Sequence, residues 1–135
     1  MAFTPELRLL ALVSCATALM WIPYLTARIF SQGMWPALDN PKTGHLSGPA
    51  WAQRAKLAHA NAVENLVVFA PLVVVATLAG IQTPGTVLAA KVYLVARLVH
   101  YVVFTAGIPV LRTLAFLAGF AATMTFAVAI ISRFA

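Results

Sequence analysis

Side chains able to do chemistry are few in this chain, and they gather in two places. The first is Arg54-Ala55-Lys56-Leu57-Ala58-His59-Ala60-Asn61-Ala62-Val63-Glu64-Asn65, where polar groups crowd together and then run into a long apolar segment. In a helix Asn61, Glu64 and Asn65 stand three and four apart and share one side. The second is a stripe in a later apolar segment: Tyr93, Arg97, His100 and Phe104 follow at steps of four, three and four. A charge at the centre of a bilayer costs ~3 kcal/mol on insertion scales, so such groups persist when they face a bundle interior or a wet cavity. Two arrangements satisfy that condition. One is a closed hydrogen-bonded network of Asn61, Glu64, Arg97 and His100 that only fixes helix packing. The favoured one is a polar pocket opening to one side of the membrane. A metal site built from His59, His100 and Glu64 is disfavoured, because they form neither a Glu-x-x-His nor a His-Glu-x-x-His arrangement.

Depth along the helices suggests a pairing. Glu64 lies ten positions after Arg54, and Arg97 lies ten positions before Gly107. At 1.5 Å per residue both sit about 15 Å from the same surface. Glu64 and Arg97 are therefore expected to meet as an ion pair, with His59 and His100 shallower on that side.

The elements that must position these groups are membrane spans. Hydrophobic residues make up 62% of the 135 positions and charged residues 9%, and the mean hydropathy is +0.92. About a quarter of a soluble domain is charged, so this chain cannot cover a soluble surface. One all-α domain of four transmembrane helices follows, with spans at about 7–30, 52–79, 86–106 and 109–131. The hydrophilic loop at 31–51 holds Gly33, Pro36, Asp39, Asn40, Pro41, Lys42, Gly44, Gly48 and Pro49, nearly all of them turn or breaker residues. Trp35 and Trp51 flank it and suit the membrane–water interface. Pro23 should bend the first span. Lys91 should snorkel outward.

Basic residues cluster at the flanks. The net charge is +6, but no basic run with interleaved aromatics suggests nucleic acid. Arg28, Lys42, Arg54, Lys56 and Arg112 border the two loops on one side, against Arg8, Lys91 and Arg133 on the other. That excess places the loops in the cytoplasm and both termini outside. The single cysteine, Cys15, excludes an intrachain disulfide. Leu12-Val13-Ser14-Cys15 looks like a lipoprotein cleavage box, yet the apolar run continues well past it, so an uncleaved first span with a buried Cys15 is expected.

Three motifs carry a resemblance. Ala58-His59-x-Asn61-x-x-Glu64-Asn65 begins the second span, Ala96-Arg97-Leu98-Val99-His100-Tyr101 lies in the third, and Pro109-Val110-Leu111-Arg112-Thr113 opens the fourth. Together they resemble the membrane-associated proteins in eicosanoid and glutathione metabolism, the MAPEG family, in a bacterial-type form. The resemblance covers nearly the whole chain in span count, spacing and loop length. It implies a homotrimer of four-helix protomers, an inner-membrane location, and glutathione bound between neighbouring subunits near the cytoplasmic face. It implies glutathione contacts at Asn61, Glu64 and His100, with His59, Arg97 and Arg28 as further binding positions, and thiol activation at Arg112. The chemistry fits these side chains. Glutathione carries two carboxylates and an ammonium, which suit arginine forks and one glutamate. A guanidinium beside a thiol raises its thiolate fraction. The implied activity is glutathione-dependent thiol transfer to, or reduction of, a lipophilic electrophile arriving from the bilayer. The chain departs from glutathione-using relatives at Leu57 and Ala60, where basic residues are common, and at Phe104 and Phe116, where tyrosines are. Those four positions suit the alternative, a non-catalytic member holding a lipid or other ligand in the groove between subunits.

Overall fold

The computed structural model describes residues 3–40 and 48–133 and is all-helical. Pro41, Lys42 and Gly44, expected as part of a turn-rich loop, lie outside the described residues. Among the described residues six helices follow in order: α1 Pro5–Leu19, α2 Trp21–Gln32, α3 Met34–Leu38, α4 Ala50–Leu78, α5 Pro84–Ala106 and α6 Pro109–Ile131. Four stretches of the described residues are long and apolar enough to cross a membrane: Pro5–Gln32, Ala50–Leu78, Pro84–Ala106 and Pro109–Ile131.

The boundaries follow local chemistry. The first span starts two residues earlier than its hydropathy suggests, because Thr4 caps it and Pro5 occupies the first helical position, where no N–H is needed. It breaks at Met20. Pro23 has no N–H for the Leu19 carbonyl, so α1 ends there and α2 restarts. The Tyr101 hydroxyl of α5 donates to the Met20 carbonyl at 2.9 Å and holds the bend. Gly33, at φ +84°, ends α2 and opens α3, a short helix within the stretch expected as loop. Pro36 sits in the first turn of α3, where its missing N–H costs nothing. α5 opens on a reciprocal cap between Thr83 and Thr86. It closes at Gly107, φ +81°, with Gly107 N–H on Phe104 O and Ile108 N–H on Val103 O. α6 starts directly after at Pro109, so α5 and α6 form a tight antiparallel hairpin.

α5 is the central helix, packed on α1, α4 and α6. The facing sides are lined by small residues: Ala55, Ala58 and Ala62 on α4, Ala115, Gly119 and Ala122 on α6. Water expulsion gives helices no drive to associate inside a bilayer, so close van der Waals packing of small side chains must supply it. The middle is filled by Phe69 stacked flat on Tyr93, centroids 3.6 Å apart, with Phe126 edge-on at 5.5 Å. Cys15 is exposed on the protomer surface, against the expectation of burial. It lies on the side of α1 turned away from Val13 and Thr17, which are the buried positions.

Two charged groups are consumed by the scaffold. Glu6 is buried and bonded to Thr86 at 2.7 Å, joining the first turns of α1 and α5, where helix dipoles favour an anion. Arg54 Nε donates to Thr105 O at 2.9 Å and lies over Gly107. A cation there complements the carbonyl end of α5.

Candidate functional site

Arg97 stands at the middle of the polar cluster, with only 1% of its surface exposed. Its guanidinium donates from one terminal nitrogen to Asn61 Oδ1 at 3.4 Å and from the other to Asn65 Oδ1 at 3.2 Å. Asn65 in turn donates to the Asn61 carbonyl at 2.8 Å. Among the described residues Nε finds no acceptor. The flat faces are covered instead: the carbon centre is 5.1 Å from the Tyr93 ring and 5.6 Å from the Phe116 ring, within cation–π range. Gly119 leaves the space. A Cβ at that position would collide with the guanidinium.

The expected Glu64–Arg97 ion pair does not form. Glu64 is exposed on the protomer surface, and no ion pair occurs among the described residues. The reason is rotation. Each helical residue turns about 100°, so Asn61 and Asn65, four apart, both reach α5, whereas Glu64 is swung away from Asn65 by a full step. Matching depth does not match direction.

From Arg97 toward the loop side runs a ladder of rings and cations. Phe116 neighbours His100, centroids 6.5 Å apart, and His100 meets Phe104 edge-on at 5.5 Å. Phe104 carries Arg112, whose carbon centre lies 4.7 Å above the ring. The positions that lack a tyrosine hydroxyl, Phe104 and Phe116, are thus the two ring faces on which Arg112 and Arg97 rest. His100 is buried, and among the described residues no hydrogen bond reaches its ring. Arg112 is half-buried, and its guanidinium bonds no acceptor among the described residues.

The other expected residues lie apart from this ladder. His59 shares a hydrogen bond of 3.0 Å with the Tyr24 hydroxyl of α2. Arg28 donates to the Pro36 carbonyl at 3.1 Å, tying α2 to α3. Leu57 is exposed, as is Ala60. Within one protomer the structure therefore joins Asn61, Arg97, His100 and Arg112 through direct or ring-mediated contacts. It leaves Glu64 facing outward and commits His59 and Arg28 to neighbours in α2 and α3. Tyr24 and Gly119 are the residues that spacing does not single out; it places Asn65 on the Asn61 side but leaves it out of the expected site. Asn65 had a signal, since it lies four positions after Asn61. Tyr24 and Gly119 had none, because their importance depends on the bend at Met20 and on the approach of α6.

The match to known proteins follows these contacts. Residues 8–132 fit the family model described as the MAPEG family. The chain belongs to the MAPEG family. Among curated proteins no sequence matches this MAPEG chain closely enough to name a relative. The matched range takes in three membrane spans of this MAPEG protein whole, the first span from Arg8 onward, and every residue of the Asn61–Arg97–His100–Arg112 cluster. Multi-pass membrane architecture and family membership thus agree.

Proposed function

We propose that this MAPEG protein is a glutathione-dependent transferase or peroxidase-like protein acting on a lipophilic electrophile. On this reading it works as a homotrimer in an inner membrane, with both termini outside the cytoplasm. Glutathione occupies the groove between neighbouring subunits near the cytoplasmic side. One observation carries the reading. Glu64 is a carboxylate on the outer face of a membrane-spanning helix, with no cation partner among the described residues of the protomer. An uncompensated charge in that place is costly, and a ligand ammonium held at a subunit boundary would compensate it.

The cluster behind Glu64 supplies the rest. Arg97, spread over two aromatic faces and two asparagine oxygens, is a positioning residue that orients Asn61. The Asn61 and His100 side chains then offer hydrogen bonds to the peptide, and the N–H edges of Arg112 face the thiol. A guanidinium there stabilises the thiolate. The sulfur forms its bond to the electrophilic carbon as the leaving group departs with the electron pair.

Calorimetric titration of the detergent-purified protein with glutathione tests this directly. Glu64→Gln is expected to weaken binding by the worth of a charge-assisted hydrogen bond, about 1.5–3 kcal/mol, or ~10- to 100-fold. Arg112→Ala should leave affinity within a few-fold and slow conjugation of a model aryl halide at least tenfold. Absence of glutathione binding by the wild-type protein would leave the second reading, a non-catalytic member with a lipid or other ligand in the same groove. The uncharged surface at Leu57 and Ala60 favours that alternative.

A further inference from the structure

The opposite face of α5 carries a concavity. Between α5 and α6, on the protomer's outer surface, runs a groove of about 430 Å³, within the ~300–1,000 Å³ range of small-molecule sites. Val95 and Val99 form one wall, Leu111 the other, and Ala115 and Ala118 leave the floor low. The lining is almost wholly apolar, and the groove extends roughly 12 Å along the helix from residue 91 to residue 99, at 1.5 Å per residue.

Its end away from the loops is closed by Lys91. The same lysine borders a second, more polar depression that reaches Gln82 and Thr83 at the turn between α4 and α5. Lys91 thus joins an apolar trough to a polar rim near the membrane surface. It lies seven positions into α5 from Pro84, about 10 Å along the helix, so its ammonium reaches the rim only by extending along the surface.

Among the described residues Lys91 has no anionic partner. The chain has three acidic residues. Glu6 is buried against Thr86, Asp39 accepts from its neighbour Asn40, and Glu64 faces outward from the midpoint of α4. Among the described residues no carboxylate pairs with Lys91. A cation at the head of an apolar trough, inside a membrane, calls for an amphiphile with a negative head and a long apolar chain.

We propose that the α5–α6 groove is a binding site for an anionic phospholipid. One acyl chain lies along Val95, Val99 and Leu111, and the phosphate sits against Lys91 and the Gln82–Thr83 rim. The site lies within a single protomer and uses none of the residues of the Arg97 cluster.

Native mass spectrometry of the detergent-purified protein tests the proposal, with phosphatidylglycerol and phosphatidylcholine of identical chains as probes. The wild-type protein is expected to bind the first phosphatidylglycerol about fivefold more tightly, the worth of one lysine at an anionic headgroup. Lys91→Gln should level the two lipids, and Ala118→Leu, which fills the trough, should weaken both. Neither side chain is buried, so both variants should keep the wild-type helical circular dichroism. Equal binding of the two lipids by the wild-type protein would overturn the proposal. So would a preference that survives in Lys91→Gln, or unchanged binding in Ala118→Leu. A disulfide between copies through Val95→Cys, in a Cys15→Ser background, would show that protein covers the groove and would overturn it equally.

Discussion

Arg97 sets the terms at the scale of single residues. A buried guanidinium is tolerated because two asparagine oxygens take its terminal N–H groups and two rings take its faces. Removing one partner should cost more than adding it gained, since a charged donor is then left without an acceptor. Asn65→Leu is therefore expected to destabilise the protein by about 1.5–3 kcal/mol, read as a lower thermal midpoint in detergent. Gly119→Ala should do likewise by another route. Its methyl group must displace the guanidinium, and overpacking of this kind costs about 1–3 kcal/mol. An unchanged midpoint in Gly119→Ala would deny Gly119 its role in making room for the guanidinium. The importance of Arg97 is legible in the sequence from its charge in an apolar run. Its partners are only half legible. Counting positions gives depth, so Asn61, Glu64 and Asn65 all qualify; rotation then selects the two asparagines and rejects the glutamate.

At the scale of elements, the signals that stop and start helices are local and so mostly readable. Pro23 announces the bend in the first span and Gly107-Ile108-Pro109 the hairpin between α5 and α6, whereas α5 starts at Pro84, before the span start near 86 that hydropathy suggests. What those signals omit is the side chain that holds each junction. Tyr101 reaches across to the Met20 carbonyl, and Arg54 reaches across to Thr105 O. Both contacts join residues more than fifty positions apart, so no local pattern encodes them. Tyr101→Phe removes only the hydroxyl and leaves the Met20 carbonyl without it. The expected cost is about 1–3 kcal/mol. Hydrogen–deuterium exchange should localise the loosening to residues near 19–24, and exchange there equal to wild type would deny Tyr101 this role. Gly107→Ala forces a side chain into a left-handed conformation under Arg54. A penalty of about 1–2 kcal/mol is expected from the backbone alone.

The whole molecule raises a different question, because much of its apolar surface is turned outward. Lipid explains an apolar exterior, and it does not explain Glu64. The same residue marks where the sequence is least legible. Its charge and depth can be counted, but whether it turns toward its own bundle or toward a neighbour depends on the packing of all four spans. On the proposed trimer, Glu64 lies at a boundary between subunits and waits for a ligand ammonium. An unpaired carboxylate in such a boundary is a cost carried for binding, since taking a charge out of water is compensated only when a partner arrives. Glu64→Leu separates the two effects. Without glutathione the variant should be at least as stable as wild type, because an apolar side chain replaces a desolvated charge at similar volume. With glutathione the wild-type thermal midpoint should rise with ligand concentration, as binding to the folded state requires, and the variant's should stay flat. A variant that loses stability without ligand would instead assign Glu64 to the scaffold. A variant that keeps the glutathione-dependent rise would remove Glu64 from the binding site.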